Sequence, residues 1–244
     1  MALLVGVTGI VFASDETQDI SLTLSSKIWS KYLNEGGGNI LHDKPVIQSD
    51  IFVSFPRGFY FSVWHSAGLD GTGLSSDAGD EIDYIVGWNG EVKGLNLDFG
   101  ILYFDLVDLF RSPQGDIIQP YLELSKDFNV FGNQKLAPYV WFGFPYSAKG
   151  DEFGHGFYTR LGVKHVWQIG PKFIFSQKAN LFFDDGACGF DSGLFGEYRC
   201  SLSWQISKST TIDLISIKAI DPFTPLSDNR KTEIVYGMGV RYHF

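Results

Sequence analysis

Twelve ionisable side chains, set at alternating positions, are the residues of this sequence best suited to chemistry. Five are acids, Asp50, Glu81, Asp83, Asp98 and Glu123; seven are bases, Lys27, Lys31, Arg160, Lys164, Lys178, Arg199 and Arg241. Each has an apolar or aromatic neighbour in the chain, so an extended backbone puts charge on one face and apolar surface on the other. The acids fall in candidate strands two to six, with no Lys or Arg on the same face. The bases fall in strands eight to ten, twelve and one, tempered by Glu197 and Glu233. If the strands close into a ring, the first and last become neighbours, and a basic arc faces an acidic wall. Opposed walls of this kind set up a transverse field that orients water and polar or charged solutes. The alternative is that the charges pair and fill a modest interior, since buried charge persists only when paired and hydrogen-bonded.

Other chemistry is less well supported. Trp29, Tyr60, Trp64, Tyr121, Tyr139 and Trp141 share the charged face and would serve either a sugar- or nucleoside-binding track or plain space-filling. His65-Ser66, near Asp70, is the one local group of hydrolase type, but adjacent strand residues point to opposite faces, so the histidine is poorly placed to act on the serine. His155 and His165 fall on the apolar face or its rim. Asp70-Gly-Thr-Gly and Asp184-Asp-Gly offer oxygen ligands in tight turns, without the spacing of an EF-hand loop, and read as solvated loops. Cys188 lies in a Gly/Asp-rich loop and Cys200 about 23 Å down a strand, too far for a disulfide unless the loop folds inward. No pattern demands a metal or a cofactor. The net charge of −9 argues against a nucleic-acid partner.

The elements that must position these residues are strands. Alternating segments bounded by turn residues fall at about 19–33, 46–55, 58–66, 80–89, 94–107, 116–127, 136–146, 153–168, 172–184, 193–206, 210–220 and 231–244. The last ends Tyr236-Gly-Met-Gly-Val-Arg-Tyr-His-Phe244, with Tyr236, Met238, Val240, Tyr242 and Phe244 on one face and Arg241 and His243 on the other. A terminal aromatic strand of this form is how bacterial outer-membrane barrels end, and it predicts contact with the barrel-assembly machinery as well as with membrane lipid. Aromatic residues make up 16% of the chain, in keeping with aromatic girdles. In the eleventh segment Leu214-Ile215 breaks the alternation, and a β-bulge would restore it.

Loop lengths alternate too. Compact turns, such as Pro56-Arg-Gly58, Ile169-Gly-Pro171 and Ser207-Lys-Ser209, follow the even strands, and longer polar loops follow several of the odd ones. Phe128 to Lys135 is longer than a tight turn and departs from the rule. Residues Ala2 to Phe12 are apolar, and Val11-Phe12-Ala13 has the spacing read by a signal peptidase. We therefore expect a signal peptide over 1–13, shortened at its start because no base precedes it, and a single barrel domain over 14–244. A soluble Greek-key sandwich would share the alternation but not the leader, the terminal aromatic and the loop asymmetry together.

Gly58-Phe-Tyr-Phe-Ser-Val-Trp-His-Ser66, then Glu81-Ile-Asp-Tyr-Ile-Val-Gly87, then Leu95-Asn-Leu-Asp-Phe-Gly-Ile-Leu-Tyr-Phe104 resemble a family of conserved proteobacterial outer-membrane proteins labelled Gcw_chp. The likeness covers about residues 20–125 and implies a membrane barrel of unassigned biochemical role; it transfers no catalytic residue. The expected fold is thus an all-β, closed antiparallel transmembrane β-barrel of about twelve strands. The first functional expectation is an outer-membrane, porin-like channel for passive diffusion of small polar solutes. A non-conducting barrel with a structural or adhesive role is the alternative, and a membrane-embedded hydrolase a distant third.

Overall fold

The computed structural model describes residues 19–34, 38–70, 80–106, 115–150, 156–223, 226 and 230–244. The expected leader, His155 and most of the Asp70-Gly-Thr-Gly turn lie outside the described residues.

Twelve antiparallel strands form a closed barrel: β1 (Ser21–Trp29), β2 (Val46–Ser54), β3 (Phe59–Gly68), β4 (Glu81–Val92), β5 (Leu95–Asp105), β6 (Ile117–Ser125), β7 (Gln134–Gly143), β8 (Tyr158–Ile169), β9 (Phe173–Asp184), β10 (Gly193–Gln205), β11 (Thr210–Pro222) and β12 (Glu233–His243). Each pairs with its neighbours in the chain, and β1 pairs with β12 to complete the ring. No helix among the described residues is long and apolar enough to cross a membrane, so any crossing is made by strands. Most outward side chains are apolar and form a belt, with Leu161 62%, Val86 61% and Met238 61% exposed. In water such a belt would drive aggregation; in lipid it is the stable arrangement.

The two ends differ, as the loop lengths predict. At the turn end, β4 and β5 are joined by Lys93 and Gly94 with φ of 53° and 77°, the left-handed pair that a two-residue hairpin requires. Gly58 is held at φ 87° beside β4, where a Cβ would lie 2.0 Å from the Asn89 carbonyl oxygen, so no other residue fits. Aromatic residues ring this end: Trp88 packs on Phe99 at 5.4 Å, and Tyr242 meets Phe244 edge-on at 4.5 Å.

Three local features refine the sequence reading. The first expected segment is divided: β1 stops at Trp29, and Tyr32–Leu33 pairs with Ile40–His42 inside the first long loop. The bulge expected in β11 is present as a register shift between Asp213 and Ser216. It lets Leu214 and Ile215 both face outward, after which Ser216 and Lys218 return to the interior. The β6–β7 seam is short, five residue pairs from Tyr121–Gly143 to Ser125–Tyr139. Pro120 and Pro138 lie on its two strands and can offer only carbonyls, which accept from the Phe144 and Lys126 N–H groups at 3.0 and 3.2 Å.

Candidate functional site in the barrel lumen

At the loop end the bore is packed. The hairpin of the first long loop buries Tyr32, Leu33 and Asn34 to 1–3% exposure. The Tyr32 hydroxyl donates to Glu81 on β4, and its ring lies 5.9 Å from that of Trp64 on β3. On the far side of the same hairpin, a Cβ at Gly38 would lie 3.0 Å from Ile220 and 3.2 Å from Phe195, on β11 and β10. The hairpin therefore spans the bore from wall to wall. Beneath it, Asp83 and Gln119 are completely buried, and the Gln119 side chain has no hydrogen-bond partner among the described residues. A second lid element follows β9, where Asp184 Oδ1 accepts the Gly186 and Ala187 N–H groups at 2.9 Å each and Oδ2 takes Arg230 at 2.8 Å. Those contacts engage both carboxylate oxygens, so Asp184-Asp-Gly reads as a structural turn. Among the described residues no cluster of three acids, histidines or cysteines could hold a metal ion.

Along the inner wall the charged residues form specific pairs. Tyr60 and Tyr121 both donate to Asp98 Oδ1, at 2.7 and 3.2 Å, and Ser62 donates to Asp50. Arg160 Nε donates to Glu197 Oε2 at 2.9 Å, and its guanidinium is sandwiched 4.2 Å from Phe182 and 4.8 Å from Trp141. Asn180 joins the cluster, donating to Glu197 at 2.5 Å and accepting the Tyr139 hydroxyl at 2.8 Å.

Next toward the turn end comes a row that strand register creates. Lys164 on β8 stands opposite Lys178 on β9, Lys178 opposite Arg199 on β10, and Arg199 opposite Lys218 on β11. Like charges directly opposite one another destabilise a sheet. At about 5 Å and an effective dielectric near 20, two such charges repel by about 3 kcal/mol before screening. The side chains fan apart accordingly. Lys164 bonds Glu123 at 2.5 Å, Lys178 lies 4.4 Å over the Tyr139 ring, and Lys218 lies 4.1 Å over Trp29. The neighbouring row on the turn side holds Ser176, Ser201 and Ser216 in register. Lower still, Lys27 and Arg241 approach Asp213 at 2.7 and 3.9 Å.

Eleven of the twelve charged residues named from the sequence thus lie on barrel strands, on the inward face. Lys31 does not: it lies beyond the end of β1, 4.0 Å from Glu233, with a side chain 40% exposed. The two walls are also less separate than expected, because Glu123 bonds Lys164 and Glu197 bonds Arg160. Asp213 and Lys218 were not identified from the sequence, because the bulge in β11 reverses the inward parity; counting separately on each side of it recovers both. His65 and Ser66 belong to opposite faces, paired with Ile82 and Glu81. Cys188 and Cys200 are both free.

A closed twelve-stranded antiparallel ring with an apolar outer belt, aromatic girdle and polar interior defines an outer-membrane-type β-barrel, the class that includes porins and outer-membrane channels. Residues 15–212 match the family described as "Bacterial protein of unknown function (Gcw_chp)", and the chain belongs to it. No curated protein matches the chain. Among solved structures it is similar to the NanC porin, at 12% identity over 92% of this chain and 99% of that one, with a TM-score of 0.56. It is also similar to the KdgM porin, at 12% identity over 92% and 99%, with a TM-score of 0.54. The COG4313 outer membrane channel from Pseudomonas putida F1 matches at 9% identity over 94% and 97%, with a TM-score of 0.50. At these identities the likeness establishes the fold.

Proposed function

We propose that this protein is a passive channel for small polar solutes in a bacterial outer membrane, with a bore closed at the loop end by the paired segments Tyr32–Leu33 and Ile40–His42. The observation that carries this reading is the register row Lys164, Lys178, Arg199 and Lys218. A barrel whose interior only had to be filled would be served better by neutral groups, because buried charges of one sign add repulsion and desolvation without packing better. A solute pathway is a use for such a row. The closed loop is displaceable on related grounds: the Gln119 side chain beneath it lacks a hydrogen-bond partner among the described residues, and a buried unsatisfied group costs about 1–3 kcal/mol that hydration would return. The porin folds of the similar structures support the reading.

Planar-bilayer recording tests it. The wild type should give small steps, and a Tyr32→Ala/Leu33→Ser variant, which removes both buried anchors of the hairpin, should raise conductance several-fold. Silence from both proteins would overturn the channel reading. It would favour a non-conducting barrel with a structural or adhesive role, the reading that the wall-to-wall hairpin itself supports.

A further inference from the structure

We infer that the outer wall of β7–β10, at its turn end, binds an anionic phospholipid from the leaflet that meets the short turns. The lipid phosphate lies against Lys126 and Gln134, and one acyl chain runs up the wall past Ala179. The headgroup end is built by the β6–β7 connection, which is longer than a tight turn. Its Phe128 and Asn129 pair back onto Leu136 and Lys135, and the Val130 N–H donates to the Gln134 carbonyl at 3.1 Å. That leaves Phe131 80% exposed, with Val130 exposed beside it. Exposed apolar groups with polar neighbours mark a contact surface, and aromatic side chains suit the membrane–water boundary. The Lys126 ammonium lies 5.6 Å over the Phe128 ring, a contact that leaves its protons available to an oxygen ligand. The turns below β6–β11 carry Lys126, Lys172 and Lys208 against a single described acid, Asp127, so this rim is positive where lipid phosphates gather.

The wall above continues the site. Register followed from Ile169, at the turn end of β8, round the ring through β12 and β1 reaches Asp105 at the loop end of β5. Rows therefore climb toward the loop end from β7 to β10. Strand spacing and a tilt of about 40° place Ala179 roughly 14 Å above Phe128 along the membrane normal. There two adjoining depressions of about 320 and 430 Å³ open in the outer face, sharing Val163, Ala179 and Tyr198. The lower is walled by Leu136 and His165, and the upper continues to Leu181. The short Ala179 side chain leaves the hollow and apolar neighbours line it, which suits a run of methylenes. The hydrogen-bond chain Tyr198–Gln177–His165–Gln134 makes the same climb and leaves the Gln134 amide protons unused at the turn end, where the headgroup lies. A second copy of this chain fits less well. Gln134 and Tyr198, three strands and four residues apart, differ in height by about 19 Å. A copy related by an axis along the membrane normal therefore cannot bring the donor end of one hydrogen-bond chain to the acceptor end of the other.

Native mass spectrometry of the refolded, delipidated full chain in detergent tests the site, with dioleoylphosphatidylglycerol and dioleoylphosphatidylcholine as probes. Wild type should retain one phosphatidylglycerol about fivefold more strongly than phosphatidylcholine, as expected of one lysine near an anionic headgroup. Lys126→Gln should remove that preference. Ala179→Leu, which fills the hollow, should weaken both lipids severalfold, and Lys93→Gln, in the β4–β5 turn, should change neither. Heat-modifiable gel mobility confirms that each variant is folded. Three results would each overturn the proposal: equal retention of the two lipids by wild type, unchanged phosphatidylglycerol binding by a folded Lys126→Gln/Ala179→Leu variant, or a dimer that excludes lipid. Conductance tests the channel reading separately.

Discussion

Lys178 on β9 and Arg199 on β10 stand directly opposite each other on the inner wall, two like charges in one hydrogen-bonded register pair. Sheets avoid this placement unless something offsets it, and here the Tyr139 ring holds Lys178 at 4.4 Å. Relieving the repulsion should therefore stabilise the barrel. Lys178→Met should raise stability by up to about 1 kcal/mol in reversible urea unfolding from lipid vesicles. A loss of stability would show that the cation is structurally required.

The outer belt makes a simpler prediction. Ile101, near the middle of β5, is 54% exposed and outward-facing. Ile101→Arg should cost about 2–4 kcal/mol if that height is the bilayer midplane. The same substitution at Phe59, at the turn-end start of β3, should cost about 0–1 kcal/mol. Equal costs at the two sites would contradict the assigned membrane depth.

One stretch of the outer face is polar, and its hydrogen bonds run in a single direction. The Tyr198 hydroxyl donates to Gln177 at 3.0 Å, Gln177 donates to His165 Nδ1 at 2.8 Å, and His165 Nε2 then donates to Gln134 at 3.0 Å. That polarity assigns the proton to Nε2. Cutting the chain at its centre with Gln177→Leu strands two partners in lipid and should destabilise by about 0.6–1.7 kcal/mol. Replacing Gln134, His165 and Gln177 together by Leu and Tyr198 by Phe should cost less than the single change, since no polar group is left unmatched. Thermal unfolding in one lipid distinguishes the two orders.

The loop-end lid offers a chemical probe. Burial pushes the Cys188 thiol up to about 11, so almost no thiolate is present at neutral pH. The short helical turn that carries it, Ala187–Gly189, is tied down through Asp184, which Arg230 bonds while lying 4.8 Å over Phe195. A polar maleimide at pH 7.5 should label Cys188 slowly in the wild type. Arg230→Ala should accelerate labelling at least tenfold, measured by mass spectrometry of the Cys188 peptide. An unchanged rate would mean that Arg230 does not hold the lid.

Period-two alternation determined much of this protein before any contact was known. It gave the number of strands, the wet side of each and, through the loop lengths, the class of barrel. Those properties are local: which face a side chain takes depends on its own strand, and an apolar belt facing lipid must be legible residue by residue. The β11 bulge marked the limit, because one extra residue reversed the parity and hid Asp213 and Lys218.

Register was decided only by the tertiary structure. Whether Lys178 faces Arg199 or a serine depends on a stagger fixed by turns and closure around the whole ring, and a shift of two residues keeps every face while changing every partner. The fate of the first loop was likewise illegible. Tyr32 and Leu33 continue the alternation of β1, and it takes Trp64 and Glu81 against Tyr32, with Phe195 and Ile220 against Gly38 on the opposite wall, to hold this loop off the wall and across the bore.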